Sequence, residues 1–200
     1  TNSTSVNHSL NSIALLGTSA DPPTCGHESL LRGLSTLFPR VITWASDNPI
    51  KQHAASLSIR HKLLKALVDD INNPQLELIQ DLSSPRTITT LEKASSRWPN
   101  TNLIFVIGSD LTGELPNWFK VKDLLKKARI GIALREGWPL KRDHIKNIEI
   151  LGGSIEFLPL EIPASSSSKF RELYKTSEIP KAILPLLQNL NLYGLAASHK

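Results

Sequence analysis

Methionine is absent from this 200-residue chain, cysteine occurs once, and aromatic residues make up only 6%. The single Cys25 excludes an intrachain disulfide framework and any cysteine-rich zinc site, which fits a protein of a reducing cytoplasm. The lack of methionine, initiator included, is expected of a chain that starts after processing. No stretch approaches the roughly 20 apolar residues a membrane helix needs, so no membrane partner is expected. The opening dozen residues, TNSTSVNHSLNS, have neither a basic start nor an apolar core. Residues 1–11 therefore read as a loose polar tail and not as an export signal. Charge is not concentrated either. Lysine and arginine number 23 against 18 acidic residues, a formal net charge of +5 and a pI near 9.4. That balance favours anionic ligands, but it comes without the aromatic-basic stripe of a nucleic-acid binder, and no nucleic-acid partner is expected.

What is present is an alternation of two periodicities. Apolar runs rich in Ile and Val at 13–16, 41–44, 76–79, 103–107, 130–134 and 155–158 read as buried parallel strands. Helical patterns lie at 28–38, 57–71, 88–98 and 121–128, and a further helix is expected at 180–192. Repeated β-α units of this length predict an α/β fold, a Rossmann-like doubly wound parallel sheet with helices on both faces and a small helical C-terminal extension. No repeat or long linker divides residues 12–200, which read as one domain, with self-association possible through its surface.

One segment carries chemistry. Gly17-Thr18-Ser19-Ala20-Asp21-Pro22-Pro23-Thr24-Cys25-Gly26-His27 follows the first strand and precedes an amphipathic helix. A turn of small residues at the carboxyl end of a parallel strand brings backbone N–H groups close to a ligand, and the next helix aims its positive end the same way. The expected ligand is a phosphate. Thr24 and His27 are three residues apart, so both can face one anion, with Gly26 leaving the approach open. Cys25 has no neighbouring base and reads as a space-filler. His53, His61 and His144 read as ordinary polar residues, and Arg60 as a tether between a helix and a loop.

Later segments complete a pattern: Asn48-Pro49-Ile50-Lys51, Thr87-Ile88-Thr89-Thr90-Leu91, Ile107-Gly108-Ser109-Asp110, Leu115-Pro116-Asn117-Trp118, Ser166-Ser167-Ser168 with Arg171, and Asn191-Leu192-Tyr193. In this order they resemble the nucleotidylyltransferase superfamily with its (His/Thr)-x-Gly-His signature, and within it the bacterial nicotinate-nucleotide adenylyltransferases. The resemblance implies attack by the 5′-phosphate of nicotinate mononucleotide on the α-phosphorus of ATP, giving deamido-NAD and pyrophosphate without a covalent intermediate. It implies catalytic roles for His27, Thr24 and Arg171. ATP would meet Gly17, Thr18, Ser19, Thr24, Gly26, His27, Gly108, Ser166, Ser167, Ser168 and Arg171. The mononucleotide would meet Ser19, Ala20, Lys51, Arg86, Thr87, Asp110 and Trp118, with the indole on the pyridine ring and Asp110 on the ribose. No protein metal site is expected, and Mg²⁺ would arrive with ATP. Arg86 stands where the family has Tyr, Thr18 where it has a second Gly, and Ala20 where it has Phe. The amide mononucleotide and 4′-phosphopantetheine remain alternative acceptors, and a silent nucleotide-binding protein is the alternative outside enzymology.

Overall fold

The computed structural model describes residues 9–163, 167–173 and 175–195, with side chains left aside at Ser168, Lys169 and Leu173. In chain order the elements are β1 (Ser12–Thr18), α1 (Cys25–Leu37), β2 (Val41–Ala45), α2 (Leu57–Ile71), β3 (Leu76–Leu78), α3 (Thr87–Arg97), β4 (Asn102–Gly108), α4 (Val121–Lys127), β5 (Arg129–Arg135), α5 (Arg142–Ile150), β6 (Ile155–Ile162), α6 (Ser167–Leu173) and α7 (Leu184–Asn189). The six strands form one parallel sheet in the order β3-β2-β1-β4-β5-β6. Strand order therefore reverses between β1 and β4, the switch point beyond whose carboxyl ends open α/β sheets bind ligands.

The central strands β1, β2 and β4 read as continuous apolar runs because both faces are covered. In β1, Ala14 and Leu16 face a core completed by Leu31 and Leu34 of α1, Leu64 and Leu67 of α2, and Phe170 of α6. Ile13 and Leu15 face the opposite core, completed by Ile88 and Leu91 of α3, Leu124 of α4 and Ile148 of α5. This is the period of two in a strand feeding two helical layers.

The elements depart most from the sequence reading in four places. Helix α1 starts at Cys25 and not at residue 28, because Thr24 is its N-cap. Strand β6 runs on to Ile162, past residue 158, pairing with Arg135 at the end of β5. Helix α5 was not expected, because most of its nine residues are polar, although Ile145 and Ile148, three apart, pack on the second core. The helix expected at 180–192 is confined to Leu184–Asn189, because Asn191 (φ 48°) and Tyr193 (φ 55°) are left-handed and turn the chain away. Of the polar tail, Ser9, Leu10 and Asn11 are described and exposed, and residues 1–8 lie outside the described set.

Candidate active site

The loop from Thr18 to Thr24 lies at the carboxyl end of β1, next to the reversal of strand order. Gly17, just before it, is required by packing: a Cβ there would lie 2.7 Å from Nε1 of Trp44, the neighbouring residue on β2. Ala20 is buried with φ 48°, a left-handed conformation uncommon for a non-glycine residue. Thr18 accepts Ser46 N–H at its carbonyl, 2.8 Å, so the loop is tied to the segment after β2. Arg60 reinforces that tie. Its buried guanidinium donates to the carbonyls of Ser19 (2.9 Å), Ser46 (2.8 Å) and Ala55 (3.1 Å), which is the tether expected of it.

At the α1 N-terminus, Thr24 N–H donates to Nδ1 of His27 at 2.9 Å, and Thr24 Oγ1 lies 3.1 Å from the same nitrogen. This is the returning half of a capping box, with histidine in the place of glutamate. Since Nδ1 accepts an amide proton, the ring's own proton resides on Nε2. Desolvation lowers the His27 pKa to about 4, helped by the charges of Arg135 and Lys51. At neutral pH the imidazole is uncharged, with Nε2–H as its remaining donor. Gly26 is buried beside it, and Cys25 is half-buried with Sγ 3.6 Å from the Ser177 carbonyl.

Three cations converge on this helix start. Lys51 Nζ reaches Ser19 Oγ at 3.5 Å. Arg135, at the end of β5, pairs with Asp110 at 3.0 Å just beyond β4. A Cβ at Gly108 would press on Asp110 Oδ1, so a larger residue there would displace that carboxylate. Arg171 of α6 donates to the Asp21 carbonyl and lies 3.5 Å from its carboxylate, and Ser167 Oγ donates to the Pro22 carbonyl at 2.8 Å. Arg171 sits in the last turn of a helix that begins at Ser167. Ser166 lies outside the described residues.

Asp21 is 1% exposed and accepts from Ala54 N–H (2.7 Å), Ala55 N–H (3.1 Å) and Tyr193 O–H (2.6 Å). Burial and this bond push the Tyr193 phenol well above its usual pKa, so it remains a donor. Sequence reasoning gave no role to Asp21 or Arg135. A signal existed for each: a carboxylate inside an anion-binding loop must be neutralised by donors, and a cation at the carboxyl end of a buried strand faces the ligand crevice.

The other expected residues form a second group. Thr87 opens α3, and Arg86 before it is exposed, its guanidinium 3.6 Å from the centre of the Phe119 ring. Trp118, next to Phe119, closes a 3-10 turn at Leu115–Asn117 and is half-buried, edge-on to Phe105 of β4 with ring centres 6.1 Å apart. One group is thus cationic and hydrogen-bonding, the other aromatic.

Among the described residues no group of three or more His, Cys, Asp or Glu side chains could hold a metal ion, and no helix is long and apolar enough to cross a membrane.

The cytidylyltransferase-like family matches residues 15–178. A Synechocystis sp. protein named "Probable nicotinate-nucleotide adenylyltransferase" is 34% identical over 196 residues, covering 90% of this chain and 98% of the relative. The nicotinate-nucleotide adenylyltransferase of Bacillus subtilis is 26% identical, covering 86% of this chain and 90% of its own. In fold, the chain is similar to a Plasmodium falciparum nicotinic acid mononucleotide adenylyltransferase complexed with NaAD, with a TM-score of 0.77, 20% identity, and coverage of 92% of this chain and 98% of that one. With the loop, the helix start and the sheet order in place, this chain belongs to the cytidylyltransferase-like family and, within it, to the nicotinate-nucleotide adenylyltransferases.

Proposed function

We propose that the chain transfers AMP from Mg-ATP to nicotinate mononucleotide, releasing pyrophosphate and forming deamido-NAD for NAD synthesis in the cytoplasm. A phosphate oxygen of the acceptor bonds to the α-phosphorus, the bond to the β-phosphate bridging oxygen breaks, and that oxygen leaves with the electron pair in pyrophosphate. No protein nucleophile is needed, so positioning and charge stabilisation supply the rate.

The observation that carries this reading is the neutral His27 ring, pinned at Nδ1 by Thr24 N–H and left with Nε2–H as a donor at a helix N-terminus. A neutral donor suits an α-phosphate that gains negative charge in the transition state. Thr24 and Gly26 share that helix start, and the family resemblance extends the ATP contacts to Gly17, Thr18, Ser19, Gly108, Ser166, Ser167, Ser168 and Arg171. With Asp21 taken up by three hydrogen-bond donors and an ion pair to Arg171, and Asp110 paired to Arg135, the cradle offers cations and donors to the triphosphate and no carboxylate set to a metal. Mg²⁺ therefore belongs to the substrate, held by phosphate oxygens and water.

Lys51 and Ser19 are assigned to the mononucleotide phosphate, Asp110 to its ribose, and Trp118 and Thr87 to its ring. Asp110 must then share its carboxylate between Arg135 and the sugar. Arg86 is assigned the nicotinate carboxylate: its face is taken by Phe119, while its edge carries N–H donors in the geometry a carboxylate accepts. Arg86→Ala should lower the preference for the acid over the amide, and an unchanged ratio of kcat/KM for the two would overturn that assignment.

The reaction is tested by pyrophosphate release with Mg-ATP and, separately, nicotinate mononucleotide, its amide and 4′-phosphopantetheine. Turnover with the first that collapses in His27→Ala is the expected result. A folded protein that releases pyrophosphate with none of them would overturn the reading.

A further inference from the structure

Asp21 joins three distant parts of the chain to the phosphate-binding loop. Its carboxylate accepts from the amides of Ala54 and Ala55, 33 and 34 residues away, and from the Tyr193 hydroxyl, 172 residues away. Its carboxylate and carbonyl both face the guanidinium of Arg171, 150 residues away. A bare carboxylate here would repel a polyphosphate. Buried and saturated with donors, it instead presents its charge inward, where a guanidinium can be held.

We propose that Asp21 is a positioning residue for the grip on the ATP polyphosphate, setting the guanidinium of Arg171, and that Tyr193 locks that carboxylate from the C-terminal segment. The inference rests on the reading above in which Arg171 engages ATP. A free arginine loses rotamer freedom when it grips a ligand, and ordering it before the ligand arrives removes part of that cost from binding. The geometry at the C-terminal segment points the same way. Tyr193 has φ 55° and ψ 29°, a conformation that a bulky residue adopts only when its surroundings impose it. Two contacts hold it there: the 2.6 Å hydrogen bond to Asp21 and an edge-on packing against Phe170, whose helix also carries Arg171, with ring centres 6.3 Å apart. One strained residue thus braces both the carboxylate and the helix that bears the arginine.

The test is calorimetric affinity of the full chain for the magnesium complex of α,β-methylene-ATP and, separately, for nicotinate mononucleotide. The variants are Tyr193→Phe, Asp21→Asn, Arg171→Lys, and the Asp21→Asn, Arg171→Lys double variant. Asp21→Asn should weaken the ATP analogue about tenfold, the scale of one charge-assisted hydrogen bond, and Tyr193→Phe about threefold. Mononucleotide affinity should change less than about twofold, which is within the error of independence. The double variant should be much less than the product of the singles, since both act on one contact. Equal weakening of both ligands, or multiplicative singles, would mean a merely structural role and overturn the proposal. If Asp21→Asn does not melt cooperatively, Tyr193→Phe decides alone, because it removes a single hydroxyl. A wild-type chain that binds the analogue but releases no pyrophosphate would overturn the activity, while the affinity series would still decide this inference.

Discussion

His27 is held in one tautomer by a backbone amide, and three physical effects agree on its charge: desolvation, Arg135 and Lys51 all favour the neutral ring. In the folded protein its NMR titration should have a midpoint of about 4, against an ordinary 6.5. Arg135→Ala and Lys51→Ala should each raise that midpoint, because each removes a positive charge that opposes protonation. The linked effect on stability has a definite sign. Between pH 6.5 and about 4 the unfolded chain binds a proton at this histidine that the folded chain does not, so His27 erodes stability as pH falls through that window. Urea midpoints of wild type and His27→Gln should therefore diverge from one another between those pH values, with the wild type losing more on acidification. For catalysis, His27→Ala should lower kcat by about 100- to 1,000-fold, the usual consequence of losing one preorganised donor to developing charge. Stopped-time pyrophosphate assays with saturating substrates would measure it. The residue type and its neighbour Thr24 were legible in the sequence. Its tautomer and its two cationic neighbours were not, since Arg135 is 108 positions away and comes near only through the order of the sheet.

At the scale of elements, the phosphate-binding loop is positioned by packing beneath it and tethers beside it. Gly17 touches the Trp44 indole across adjacent strands, and Trp44 is 3% exposed, so its ring has no room to retreat. Gly17→Ala should cost about 1–3 kcal/mol as an overpacking change. A thermal melt with tryptophan fluorescence would detect both the loss and the displaced indole. Arg60 of α2 is the second support. Replacing it with leucine removes charged donors from the carbonyls of Ser19, Ser46 and Ala55 and leaves them buried. The expected loss is on the order of 3 kcal/mol, read as a lower urea midpoint, with loop-dependent activity falling before the sheet unfolds. Helix α2 itself was readable from the spacing of Leu64, Leu67, Val68 and Ile71, all of them buried. Helix α5 was not, because most of its nine residues are polar, although Ile145 and Ile148 stand at helical spacing and pack on the second core.

At the scale of the molecule, the sheet divides two apolar layers, and stability is spread over both. Leu34 is fully buried among α1, α2 and the sheet, whereas Ile150 at the end of α5 is 72% exposed. Leu34→Ala should cost about 2–5 kcal/mol, while Ile150→Ala should stay within about 0.5 kcal/mol. Equilibrium denaturation of the two variants would show whether burial in the layered core governs stability. The same layering explains why the site is on an edge: both faces are occupied by helices, so the carboxyl ends around β1 and β4 are where a ligand can reach backbone N–H groups.

The sequence by itself determined the strands, most helices, the parallel alternation and the phosphate-loop chemistry of Thr24, Gly26 and His27. These are local properties: periodicity, capping and turn composition act over a few residues and leave their mark in order along the chain. Only the tertiary structure decided the partners of the charges. It set Asp21 between Arg171 and Tyr193, joined Asp110 to Arg135, and stacked Arg86 on Phe119, at separations of 150, 172, 25 and 33 residues. A charge carries no record of its partner in the sequence around it. The pairing is fixed when strand order and helix packing bring distant segments to one edge of the sheet, where burial makes each unpaired charge costly and each pairing specific.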